Sequence, residues 1–144
     1  MTAYPSSIKF TVSGLSPSRN ECDKWLAKRQ FWRIAKLKND YQWQIVAEVI
    51  NTGADPQQVT VTALVKRKVI FTSYRSRTLD TDNLSGGLKY LRDALKDMRL
   101  IHDDSPKWLD AEYRQEIDSK NHRVEVEIFG EFEANVLKSS RRMI

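Results

Sequence analysis

Between residues 7 and 14 apolar and polar positions alternate. Ile8, Phe10 and Val12 share one parity and Gly14 ends the run, which predicts a strand. Over 21–50 the period becomes helical. Trp43, Ile45, Val46, Val49 and Ile50 are assigned to one helical face, with Asn39 or Asp40 as a cap. Trp25, Phe31 and Trp32 are apolar anchors of an earlier segment, and the two tryptophans are expected in the core. Residues 51–56 end the helix. A second strand is expected over 57–68, with Val59, Val61, Ala63 and Val65 on one face, and then a loop over 69–78.

Leu84, Leu88, Leu91, Leu95 and Met98 recur at spacings of four, three, four and three, one stripe of an amphipathic helix. Lys89, Asp93 and Lys96 fall on the opposite side of that cylinder. Residues 110–117 and 122–130 are expected as two strands, joined by a hairpin turn at 118–122. The order strand-helix-strand-helix-strand-strand implies an α/β (α+β) fold. A small mixed β-sheet would carry the helices, with a crossover between the early strands and a C-terminal hairpin. The whole fits one domain over 1–130 and a short tail over 131–144.

Composition narrows the classes. The 144 residues are 40% hydrophobic and 30% charged, as in a globular protein. No stretch is long and apolar enough for a membrane span, and the first ten residues lack the pattern of a secretory signal. The single cysteine, Cys22, cannot form an intrachain disulfide, consistent with a reducing, cytoplasmic setting. The net charge of +5 is unevenly spread. Residues 1–77 hold thirteen Lys/Arg against five Asp/Glu, and residues 78–144 hold eleven against fourteen. A basic first half suits a polyanionic partner, nucleic acid above all.

Against that base stands an acidic cluster. Asp80 and Asp82 are one residue apart, and Asp103 and Asp104 close the segment that follows. Two carboxylates on one side of an extended chain repel, and a divalent cation or a lysine relieves the cost. Mg²⁺ suits such a site, because it takes one or two carboxylates with water and phosphate oxygens. A calcium-binding loop starting at Asp80 fails, since its sixth and twelfth positions hold Ser85 and Leu91. A D-x-D phosphatase site fails too, because "SYRSRT" rather than an apolar strand is expected before Asp80.

The whole stretch resembles the RusA family of Holliday-junction resolvases. The shared elements are D-x-D-N at Asp80, Asp82 and Asn83, Lys89 four residues before Asp93-Ala94-Leu95, and the closing pair Asp103-Asp104. "PSRN" at 17–20 resembles the family's N-terminal loop. One departure stands out: the family's shorter form has its lysine four residues after the second aspartate. That position is Gly86 here, and the lysine comes three residues later, after an insertion around Ser85-Gly86-Gly87.

The resemblance implies a Mg²⁺-dependent endodeoxyribonuclease, with Mn²⁺ as a substitute ion. It would act as a homodimer on four-way DNA junctions in a bacterial or phage-infected cell. By carry-over, Asp80, Asp82 and Asp104 would bind the metal and Lys89 would be a catalytic cation. Lys66, Arg67, Lys68, Arg75 and Arg77 flank the motif and are expected to hold phosphates. Phe71 and Tyr74 are candidates for stacking in an opened junction, or for core. Two alternatives stay open: a catalytically silent branched-DNA-binding protein of the same fold, and a carboxylate-metal hydrolase of small phosphates.

Overall fold

The computed structural model describes residues 7–51 and 66–129. In chain order its elements are β1 (Ser7–Ser13), α1 (Arg19–Ala27), α2 (Phe31–Asn51), β2 (Arg67–Arg75), α3 (Thr81–Gly87), α4 (Lys89–Asp97), β3 (Leu109–Ile117) and β4 (Arg123–Phe129). The four strands form one mixed sheet in the order β1-β4-β2-β3. β2 runs parallel to β3 and antiparallel to β4, and β1 pairs antiparallel with β4. The expected class therefore holds, although the element order differs.

Alternation decides which face of the sheet is covered. Ile8, Phe10 and Val12 of β1, Val69 and Phe71 of β2, and Val124, Val126 and Ile128 of β4 all enter one core. The helices close that core with Tyr41 and Ile45 from α2 and with Leu84, Leu88, Leu91 and Leu95. The expected leucine stripe is thus a core face, but it belongs to two helices. The chain breaks at Leu88, where ψ is 4°. The opposite sheet face carries Lys9, Thr72, Tyr74, Arg114, Glu125 and Glu127, and no described helix covers it.

Three expectations are corrected. The loop expected over 69–78 is mostly β2, the strand between β3 and β4. Its Val69, Ile70, Phe71, Thr72 and Tyr74 are good strand formers, but arginines and lysines at both ends give the run a surface-like look. The strand expected over 57–68 lies outside the described residues except for its last three positions, of which Arg67 and Lys68 belong to β2.

The C-terminal hairpin is also absent: β2 lies between β3 and β4. Since β3 is parallel to β2, it ends beside Arg75. The turn at 118–122 must then cross the end of β2, roughly 10 Å, before β4 returns on the far side. Asp118 holds this link in place. Its N–H donates to the Arg75 carbonyl at 2.8 Å, and its Oδ1 accepts from the Lys120 and Asn121 N–H groups.

The third correction concerns α2. Trp43 is 70% exposed and Trp32 is 60% exposed. Trp43 lies about 160° around the helix from Ile45, so the two cannot share the core face. The true core stripe is Ile34, Leu37, Tyr41 and Ile45. Trp25 does pack against the core, as expected.

Candidate functional site

The acidic motif starts where β2 hands the chain to α3. Asp80 is the N-cap of α3: its Oδ1 accepts from the Asn83 N–H at 2.8 Å, and its Oδ2 from Asn83 Nδ2 at 3.0 Å. These bonds favour the charged form and hold the carboxyl of Asp80 below its usual pKa, the Asn83 backbone bond first. Asp82 follows in the first turn, exposed.

α1 stands beside this start. Its own cap is a reciprocal box: Ser18 Oγ accepts from the Glu21 N–H, and Glu21 Oε1 accepts from the Ser18 N–H. Asn83 Oδ1 accepts from the Asn20 N–H at 3.2 Å, which ties the two helix starts together. Arg19, Asn20, Asp23, Asp80, Thr81, Asp82 and Asn83 line one open cavity of about 460 Å³.

The inserted glycines explain the close approach. A Cβ on Gly87 would lie 1.9 Å from the Pro17 carbonyl oxygen, so only glycine lets α3 sit against the 17–18 loop. The insertion that displaces the lysine is therefore a helix-to-loop contact.

The remaining motif residues go elsewhere. Lys89 opens α4 and directs Nζ to Asp93 Oδ2 at 3.4 Å, one turn along its own helix. Asp103 accepts from the Asp104 N–H at 2.9 Å and lies 3.2 Å from Lys96 Nζ. The backbone bond and then the lysine hold the Asp103 carboxyl below its usual pKa, and Asp103 in turn raises that of Lys96.

Topology separates the two acid pairs. Asp80 lies five residues past the end of β2, and Asp104 lies five residues before the start of β3. The strands are in parallel register from Arg67–Leu109 to Arg75–Ile117, so these are opposite ends. A nine-residue strand spans roughly 26 Å. Asp80 and Asp82 thus line one cavity, and neither Asp104 nor Lys89 is among its lining residues. Among the described residues no group of three His, Cys, Asp or Glu side chains is close enough to hold a metal ion. The donors at Asp80 and Asp82 are oxygens, the kind a hard cation takes, but the described residues do not complete a set.

The expected phosphate contacts divide in the same way. Lys66 and Lys68 are exposed at the start of β2, on the Asp104 side, and Lys68 pairs with Glu112 at 3.9 Å. Arg77 is exposed on the Asp80 side. Arg67 and Arg75 are 0% and 6% exposed, because residues 67, 69, 71, 73 and 75 share the covered face. Arg75 Nη1 donates to the Ser16 carbonyl at 2.7 Å and to Ser16 Oγ at 3.0 Å. Burial lowers the pKa of both guanidiniums, to about 10 for Arg67. Of these five basic residues, only Lys66, Lys68 and Arg77 are therefore exposed.

Phe71 is core and stacks on Tyr113 at 5.4 Å between centroids. Tyr74 lies on the uncovered face and donates to Glu125 at 2.7 Å.

Arg19, Asn20 and Asp23 were not expected beside the motif. Their signals were the capping box at Ser18 and the weak likeness of "PSRN", which place a helix start but not its neighbour. A scan against protein-family models finds no match for the chain, and a search of curated proteins finds none either.

Proposed function

We propose that this protein is a Mg²⁺-dependent, structure-selective endodeoxyribonuclease of the RusA type. It would cut four-way DNA junctions as a homodimer in the cytoplasm of a bacterial or phage-infected cell. The observation that supports this most is the open cavity that Asp80 and Asp82 share with the Arg19–Asp23 pair, at the acidic motif of an otherwise basic chain. Asp80 is held as an anion by Asn83, and Arg77 emerges close by in the chain.

The separation of the acids gives dimerisation a specific task. A second copy docked against the first can supply Asp104 of the partner subunit to Asp80 and Asp82, and two-fold symmetry then makes two equal sites. A four-way junction needs two cuts, so the symmetry of the protein would match that of its substrate. A magnesium ion there would lower the pKa of bound water and clamp phosphate oxygens. The chain's own part is to present the carboxylates from a fixed helix start, with Arg19, paired to Asp23 at 3.8 Å, on the same cavity.

Subunit mixing tests this reading. Asp82→Asn and Asp104→Asn proteins should each fail to cleave a synthetic junction with Mg²⁺ while still binding it. Mixed, they should regain single nicks, since each mixed dimer holds one intact site. Mixtures that stay inactive, with wild type active and exchange of subunits shown, would contradict a shared site.

A second reading, a branched-DNA-binding protein that does not cut, draws support from Lys89, whose partner is Asp93. Wild-type protein that binds the junction without any Mg²⁺-dependent cutting would favour it.

A further inference from the structure

We infer that the corner between α1 and α2 is a second nucleic-acid contact, one that takes unpaired bases of a single strand, with Trp32 as its stacking platform. The inference shares the nucleic-acid partner with the reading above but does not require cleavage.

Trp32 and Trp43 are eleven residues apart, about 20° of rotation, so they share one stripe of α2. That stripe lies opposite Ile34, Tyr41 and Ile45, the helix's core face. Two large aromatic rings therefore face outward, 60% and 70% exposed, with Phe31 beside the first at 57%. These indoles contribute little to the described core, and Trp32 with Phe31 beside it exposes apolar surface next to cations.

The charge beside the first ring indicates the occupant. From Lys24 to Lys38 there are six Lys/Arg and no Asp/Glu. Lys36 pairs with Asp40 and Lys38 with Asp97. Lys24, Lys28, Arg29 and Arg33 form no ion pair with any described residue. Arg33 places its guanidinium 4.8 Å from the Trp32 ring centroid, which leaves the indole free to take a flat group on its other face. Arg29, in the left-handed region at φ 56°, turns the chain between the helices.

A polyanion that also presents flat rings fits this set: bases stack on the indole while the cations follow the phosphates. A symmetric pair of copies meeting through this patch would bring like charges together. Position supports the same occupant. α1 starts at the acid cavity with Arg19, Asn20 and Asp23 and ends at this corner, roughly 12 Å along. A strand held at the corner could run along α1 to Asp80 and Asp82.

The test is the anisotropy of a labelled oligothymidylate with full-length wild type, Trp32→Ala, Trp32→Phe and Trp43→Ala. Trp32→Ala should weaken binding about tenfold or more. Trp32→Phe should keep most of the affinity, and Trp43→Ala, without flanking cations, should lose less than Trp32→Ala. Circular dichroism should show all variants folded, since both rings are exposed. Unchanged affinity in Trp32→Ala overturns the inference. So does Trp32-dependent binding to phosphatidylserine vesicles but not to the oligonucleotide, or a wild-type dimer that Trp32→Ala turns into a monomer. Junction cutting is scored separately: no cutting with Trp32-dependent strand binding removes only the nuclease reading, and intact cutting with unchanged strand binding removes only this one.

Discussion

The two acidic pairs share residue type and near-adjacency, yet their surroundings differ. At the first pair the charge of Asp80 is held by donors from a helix start, and Asp80 and Asp82 both line an open cavity with Arg19. At Asp103 and Asp104 a lysine from the preceding helix, Lys96, lies against the first carboxylate. Donors from the backbone and an amide fix an anion without cancelling its charge, whereas a lysine largely neutralises it. Among the described residues no lysine pairs with Asp80 or Asp82, which is where the two pairs differ. The second offers Asp104 alone, at the other end of the parallel strands.

The largest expected effect comes from removing charge at the first pair. Asp82→Asn should reduce Mg²⁺-dependent junction cleavage by about 100-fold or more, with junction affinity kept, as measured by single-turnover cutting and anisotropy. Equal cutting by mutant and wild type would end the distinction between the pairs. Next is the scaffold of the same end. Gly87→Val forces a side chain into the Pro17 carbonyl and should cost about 3 kcal/mol in urea unfolding.

A smaller effect concerns acid sensitivity. The pKa of Asp80 is depressed in the folded state, so its contribution is whole above the unfolded carboxylate value of about 4 and is lost as pH falls through the folded value. Asp80→Asn keeps a capping oxygen without the charge. It should flatten the fall in stability below pH about 4, and an unchanged slope would assign that fall to other carboxylates. The smallest effect is Lys96→Ala, which removes an exposed pair and should leave the thermal midpoint almost unchanged.

Much of the fold was legible because burial sets period. Ile8, Phe10 and Val12, the leucines from Leu84 to Leu95, and the valines of β4 all sit where alternation or helical spacing put them. Charge hid β2. Arg67 and Arg75 look like surface residues in a string of letters, but their parity matches Val69 and Phe71, and parity decided their burial. Strand pairing had no local signal either, so the link at 118–122 read as a hairpin although it steps over a strand. At the site, i, i+2 spacing set Asp80 and Asp82 on one side of an extended chain; Asp82 instead lies in the first turn of α3, and it is the helix start that puts both on one cavity. The sequence could not show that Asp23 would join them or that Asp104 would face away, because both depend on how helices and strands dock.

The outermost strand has a consequence for folding. Among the described residues β1 pairs only with β4, from Ser7 opposite Phe129 to Ser13 opposite Arg123. β1 must therefore wait for β4, which comes after every other described element, before this pairing can form. Closing so long a loop is slow, so the β1–β4 pairing forms late in folding.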